Sequence, residues 1–183
     1  MQSKEHWERV YTTKSENSVS WFQAHARQSV QLIAQTGVAK DASIIDVGGG
    51  ASTLVDDLLA EGYRHVTVLD LSEAALEASR SRLGARALGV TWLAGDITKV
   101  ELPERAYDVW HDRAVFHFLT TPEERQQYVT IVGTAVAPNG VIVLATFAAD
   151  GPAQCSGLPA ARYSADELAA SFAERFDLVH QER

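Results

Sequence analysis

Short β-branched runs alternate with segments of helical periodicity along almost the whole chain, and this alternation is the sequence mark of a parallel sheet flanked by helices. Ser43 to Val47 (SIIDV) is the first run, and it ends on Gly48-Gly49-Gly50. A helix is expected over 51–61, stopped by Gly62, and His65 to Asp70 (HVTVLD) reads as the second strand. Ser72 is placed to cap the next helix, in which Leu71, Ala75, Leu76 and Leu83 fall near one face before Gly84. Val90 to Ala94 and Tyr107 to His111 are the third and fourth strands. Thr121-Pro122-Glu123-Glu124 combines an N-cap, a proline suited to the first helical position and a capping-box glutamate. Pro138-Asn139-Gly140 predicts a turn into a fifth strand over Val141 to Phe147. Residues 148–162 read as a loop, Ser164 to Glu167 as a second capping box opening a helix through Phe172, and Phe176 to His180 as a sixth strand. The fold expected is α/β, a Rossmann-like doubly wound and mostly parallel sheet.

The first 40 residues differ in character. Trp7 and Tyr11 are four apart and share a helical face, and Trp21-Phe22 is expected to begin a helix through Ile33, ended by Gly37. Preceding the first strand, this segment can lie across the carboxyl edge of the sheet, where open α/β folds bind ligands. With 183 residues and 46% hydrophobic content, the chain suits one domain: a helical lid segment over 1–40 and a core over 41–183. Sixteen basic against 24 acidic residues give a net charge of −8, which opposes a nucleic-acid partner. No apolar run reaches the roughly 20 residues of a membrane span. The stretch from Met1 to Trp7 shows no secretory signal, and the single cysteine, Cys155, excludes an internal disulfide and a multi-cysteine metal site. A cytoplasmic setting follows.

Three motifs carry chemistry. Glycines after the first strand let the backbone turn sharply and approach a ligand closely, and the helix behind them favours an anionic group. Asp70 ends the second strand 20 residues after Gly50, where a carboxylate suits the two hydroxyls of a ribose; capping the helix after it is the alternative role. Gly95-Asp96-Ile97 follows the third strand, where Asp96 suits an adenine amino group and Ile97 the ring face; an ordinary turn is the alternative. A dinucleotide site wants a third glycine where Ser52 and Thr53 stand, so a nicotinamide-dependent oxidoreductase is the disfavoured reading.

Taken together, IIDVGGGAS at 44–52, VTVLD at 66–70, AGDI at 94–97, YDVWHDRAVFHFL at 107–119 and AVAPNGVIVLATF at 135–147 resemble the class I S-adenosylmethionine-dependent methyltransferases. The resemblance covers about residues 40–180, with Ser52 departing from the family's third glycine. Within the class, Trp110 to Ala114 is similar to a W-D-R-G stretch of thiopurine and thiol methyltransferases, with His111 inserted. GLPAARYSADEL at 157–168 is similar both to these and to methyltransferases of elongation-factor lysines, and WERVY with VSWF recurs in both groups. Family members end in strands six and seven, whereas this chain stops just after the expected strand six, so the last strand is missing from the expected fold.

The resemblance implies S-adenosylmethionine as cofactor and S-adenosylhomocysteine as product. It implies Asp46, Gly48, Gly49 and Gly50 around the methionine end, Asp70 with Leu71 at the ribose, and Asp96 with Ile97 at adenine. The backbone carbonyl of His111 is expected near the ammonium and its ring near the methyl. Tyr11, Trp21 or Trp7 can face the sulfonium as a lid, core packing being the alternative. His111 and His117 are the candidate general bases, each with a structural role as the alternative. Trp7, Asp112 and Arg113 are candidates on the acceptor side; Asp112 suits a helix N-cap equally, Arg113 a surface ion pair, and Cys155 is read as incidental. The acceptor expected is a small thiol, amine or related nucleophile, with a protein lysine as the alternative.

Overall fold

A computed structural model describes residues 4–13, 19 and 21–183. Of the expected lid segment and of the stretch read for a secretory signal, residues 1–3, 14–18 and 20 lie outside the described residues. Five parallel strands, β1 (Ser43–Val47), β2 (His65–Asp70), β3 (Val90–Ala94), β4 (Tyr107–Arg113) and β5 (Val136–Ala145), form one sheet in the order β3-β2-β1-β4-β5. The chain builds outward from β1 through β2 to β3, then returns to the other side of β1. That reversal opens a crevice at the carboxyl ends of β1 and β4.

Alternation along each strand sends neighbours to opposite faces. Ile44, Val68 and Val109 pack on one side with Ile33, Leu58 and Leu76, which belong to α2 (Arg27–Gln35), α3 (Leu54–Ala60) and α4 (Glu73–Leu83). Ile45, Leu69 and Trp110 pack on the other with Tyr128 and Val132 of α5 (Pro122–Ala135). Both faces of the sheet are therefore covered, as parallel strands require. The β3–β4 connection over 95–106 carries no helix. Helix α1 (Lys4–Thr13) lies against α4, and α6 (Ala165–Ala170) follows the second capping box. Among the described residues no helix is long and apolar enough to cross a membrane.

Several expectations are corrected. The helix expected from Trp21 begins at Arg27, because residues 23–26 are tied to α3 instead: Ala26 N donates to Asp57 Oδ2 at 2.7 Å and Thr53 Oγ1 to Gln23 O at 3.0 Å. The helix expected from residue 51 begins at Leu54, so its amides stand beyond the glycine loop. Phe176 to His180 forms no strand. The Pro138-Asn139-Gly140 turn lies inside β5 as a bulge, with Val136 opposite Tyr107 and Val141 opposite Val109. Loop 148–162 contains two-residue strands: β6 (Phe147–Ala148) pairs with β9 (Arg162–Tyr163), and β7 (Gln154–Cys155) with β8 (Leu158–Pro159).

Candidate active site

Two adjoining cavities occupy the crevice, one of about 50 Å³ and one of about 180 Å³. Tyr11, Trp21, Val47, Gly48 and Arg113 line both. The smaller one is built around Asp46. Sheet register sets Asp46 beside His111, and His111 Nδ1 lies 2.7 Å from Asp46 Oδ1. The other ring nitrogen, Nε2, lies 2.9 Å from Ser29 Oγ of α2. Asp46 Oδ2 is buried with no hydrogen-bond partner among the described residues, and a Cβ on Gly49 would collide with it. A buried carboxylate oxygen without a donor is costly, and an ammonium group of a ligand would satisfy it.

The glycine loop owes its shape to its neighbours. Gly48 has φ +71° and donates its N–H to Leu69 O at 2.7 Å. From α4, Ser79 Oγ donates to Gly50 O at 2.6 Å and Arg82 Nη2 to Ser52 O at 2.7 Å. Gly50 itself stands behind the cavity wall, where a Cβ would strike the Asp70 carboxylate and Ala75.

The larger cavity reaches from Asp70 to Asp96. Asp70 Oδ1 accepts from Ser72 N at 2.8 Å, and burial pushes its carboxyl up to about 7, against the opposing pull of that hydrogen bond. Leu71 and buried Ile97 line the same space. Asp96 Oδ1 accepts from Thr98 N at 2.8 Å and from Thr98 Oγ1 at 2.7 Å, while Lys99 Nζ lies 3.2 Å from Oδ2. Over this end stand Trp7, stacked on Tyr11 at 6.2 Å, and the edges of Trp21 at 5.9 Å and Phe118 at 5.5 Å. Burial, helped by the charge of Asp70, drives the Tyr11 phenol far above its ordinary range. Arg113 takes part in no ion pair among the described residues.

Two candidates are corrected. Asp112 lies outside both cavities, fully buried, where it accepts from Val115 N at 2.7 Å, Phe116 N at 3.0 Å and Tyr128 Oη at 2.6 Å. Burial raises its carboxyl to about 6; it organises the turn after β4 and is closed to an acceptor. His117 is also fully buried off the cavities, beside Phe118 and Phe147, and burial lowers its pKa to about 4. Its ring lines neither cavity. His111 does line the smaller cavity, yet both ring nitrogens are engaged, which suits an orienting part better than a base. Conversely Cys155 and Ser156, at the tip of the β7–β8 hairpin, line the larger cavity, and Ser29 supports His111. Ser29 carried no signal because its partner His111 is distant in sequence, and Cys155 and Ser156 carried none because their stretch reads as a loop.

A family model described as a methyltransferase domain matches residues 44–140. The eEF1A lysine and N-terminal methyltransferase of Mus musculus is 23% identical over 122 residues, 67% of this chain but only 17% of that protein. The EEF1A lysine methyltransferase 2 of Danio rerio is 25% identical over 156 residues, 78% of this chain and 67% of its own length. A structure solved for the conversion of a disulfide bond into a thioacetal group during echinomycin biosynthesis superimposes with a TM-score of 0.72, at 23% identity, over 93% of this chain and 77% of that one. The family match speaks for methyl transfer over the nicotinamide alternative, and an S-adenosylmethionine-dependent methyltransferase from Methanosarcina mazei is among the solved structures of similar fold.

Proposed function

Since the chain belongs to the methyltransferase-domain family, as an S-adenosylmethionine-dependent enzyme, we propose that its acceptor is a small-molecule nucleophile, a thiol, an amine or a similar group. The observation that carries this reading is the aromatic roof: Tyr11 and Trp21 line both cavities, and Trp7, packed on each of them and on Phe118, extends that roof from the cofactor's space to the junction beside Arg113, where an acceptor would meet the methyl group. A compact acceptor fits under such a roof and is screened from water by it.

When bound, the cofactor supplies a methyl group on a sulfonium, and the acceptor's lone pair displaces the sulfur in line. The chain's own residues chiefly bind and orient. Asp46 Oδ2 fits the ammonium, with His111 and Ser29 fixing the carboxylate's direction. Asp70 fits the ribose hydroxyls, with Leu71 beside it, and Asp96 and Ile97 fit adenine. Gly48 and Gly49 allow the close approach, and Gly50 leaves room for Asp70. Tyr11 and Trp21, which line both cavities, bring aromatic rings to where the two spaces meet, a suitable lining for a desolvated cation. Arg113 is placed to hold an anionic group on the acceptor, and Trp7 to cover it. With His117 out of reach and His111 occupied, the reaction proceeds without a general base, as an acceptor thiol permits. A cytoplasmic protein of one domain, with α1 and Trp21 as the lid and α2, expected to share that role, packed on the sheet instead, completes the reading.

A second reading is a protein-lysine acceptor, favoured by the names of the two relatives. Radiolabelled S-adenosylmethionine offered with a panel of small thiols and amines, and separately with purified elongation factor, decides between them. Label in small products supports the proposal; label in elongation factor alone overturns it.

A further inference from the structure

The first amides of a helix lack intrahelical acceptors, and α4 meets that need in an unusual way. Ser72 N donates to Asp70 Oδ1 at 2.8 Å, and Ala75 N donates to Ser72 Oγ at 3.2 Å. The two amides between them look outside their own neighbourhood. Glu73 N donates to Glu8 Oε1 at 2.7 Å, and Ala74 N donates to Glu8 Oε2 at 3.2 Å, across 65 and 66 residues. One carboxylate of α1 therefore spans both remaining donors, at the end of the helix where negative charge is favoured.

No residue of α1 is fully buried, and its further ties include the ring contacts of Trp7 and a hydrogen bond between the side chains of Tyr11 and Trp21. Glu8 follows Trp7 directly and precedes Tyr11 by three positions, so fixing its carboxylate fixes where those rings stand. The far end of the same tie is the loop that carries Asp70 and Leu71. We propose that Glu8 is a positioning residue, a latch joining α1 to the first turn of α4 so that the aromatic roof is held over the cofactor cavity. This rests on the reading of that cavity as the cofactor site.

The test compares Glu8→Ala and Glu8→Gln with Glu5→Ala, which removes a charge from the exposed first turn of α1. S-adenosylhomocysteine affinity is measured by calorimetry, exchange at the amides of residues 73 and 74 by NMR, and the kinetics with S-adenosylmethionine. Losing two charge-assisted hydrogen bonds in Glu8→Ala is expected to weaken S-adenosylhomocysteine binding by about tenfold. The KM for S-adenosylmethionine should rise by a similar factor with kcat little changed, and exchange at the two amides should quicken. Glu8→Gln keeps one acceptor, so it should fall between Glu8→Ala and wild type; Glu5→Ala should behave as wild type. Faster exchange with unchanged S-adenosylhomocysteine affinity would reduce Glu8 to a helix cap and overturn the latch. If Glu8→Ala fails to fold, Glu8→Gln decides by the same two readouts. Wild-type protein that binds no S-adenosylhomocysteine would refute the cavity reading instead, a separate failure.

Discussion

Asp70 is asked to be two things. Its carboxyl is held at about 7 by burial, well above the ordinary 3.8, so the charged form that accepts from ribose hydroxyls comes at a cost to the fold. Asp70→Asn removes that cost while keeping an acceptor for Ser72 N. Denaturation at pH 8 should show the variant more stable than wild type, with the difference shrinking toward pH 4. Its S-adenosylhomocysteine affinity should fall by roughly 2 kcal/mol, about 30-fold, for the lost charged acceptor; unchanged affinity would remove Asp70 from the site. Arg113 separates acceptor from cofactor in the same manner. Arg113→Met should raise the KM of an anionic acceptor with S-adenosylhomocysteine affinity intact; the reverse pattern would assign the guanidinium to the cofactor's own carboxylate.

Among the elements, the turn after β4 depends on a buried chain of hydrogen bonds. Trp110 Nε1 donates to Tyr128 Oη at 2.9 Å, which donates to Asp112 Oδ2 at 2.6 Å, joining β4 to α5. Tyr128→Phe strands both partners and should cost about 1–3 kcal/mol in urea denaturation, with cofactor affinity conserved. This chain also shows where sequence reading succeeds. β1, β2 and β3 take the expected residues, and both capping boxes form at Thr121 and Ser164, because these signals are local. Trp21 to Ala26 carried helical spacing but is governed by Asp57 and Thr53 some 30 residues away. Phe176 to His180 carried β propensity but pairs with no strand, and propensity without a ladder makes no strand. The aspartates and glycines of the site stand at the ends of those well-marked strands. Glu8 and Ser29 were invisible because only tertiary packing gives them partners, and Cys155 because only the folded hairpin brings it to the cavity.

For the whole molecule, Asp70 and Asp112 act on stability in the same direction. Their folded pKa values, about 7 and about 6, both exceed the 3.8 of a free carboxyl. The folded state therefore binds more protons in this range, and the stability from these two groups is complete below pH 4 and lost as pH rises through 6 and 7. Unfolding free energy, followed by urea titration across pH 4 to 8, should carry a downward contribution from this pair, flattened in the doubly amidated variant. Saturating S-adenosylhomocysteine should reduce the part due to Asp70, since hydroxyl donors favour its charged form, and binding near pH 6 should release protons to the buffer.

The pairing of Asp46 with His111 across two central strands makes the floor of the crevice inseparable from the sheet: it exists wherever the protein is folded at all. The covering helix has no interior of its own and hangs by side chains. Warming should therefore silence the protein in two stages. Ligand recognition fades first as the cover comes away, reversibly and without loss of the strands, and only at higher temperature does the body melt. Indole emission and far-ultraviolet dichroism, recorded on one sample, should then give midpoints that do not coincide.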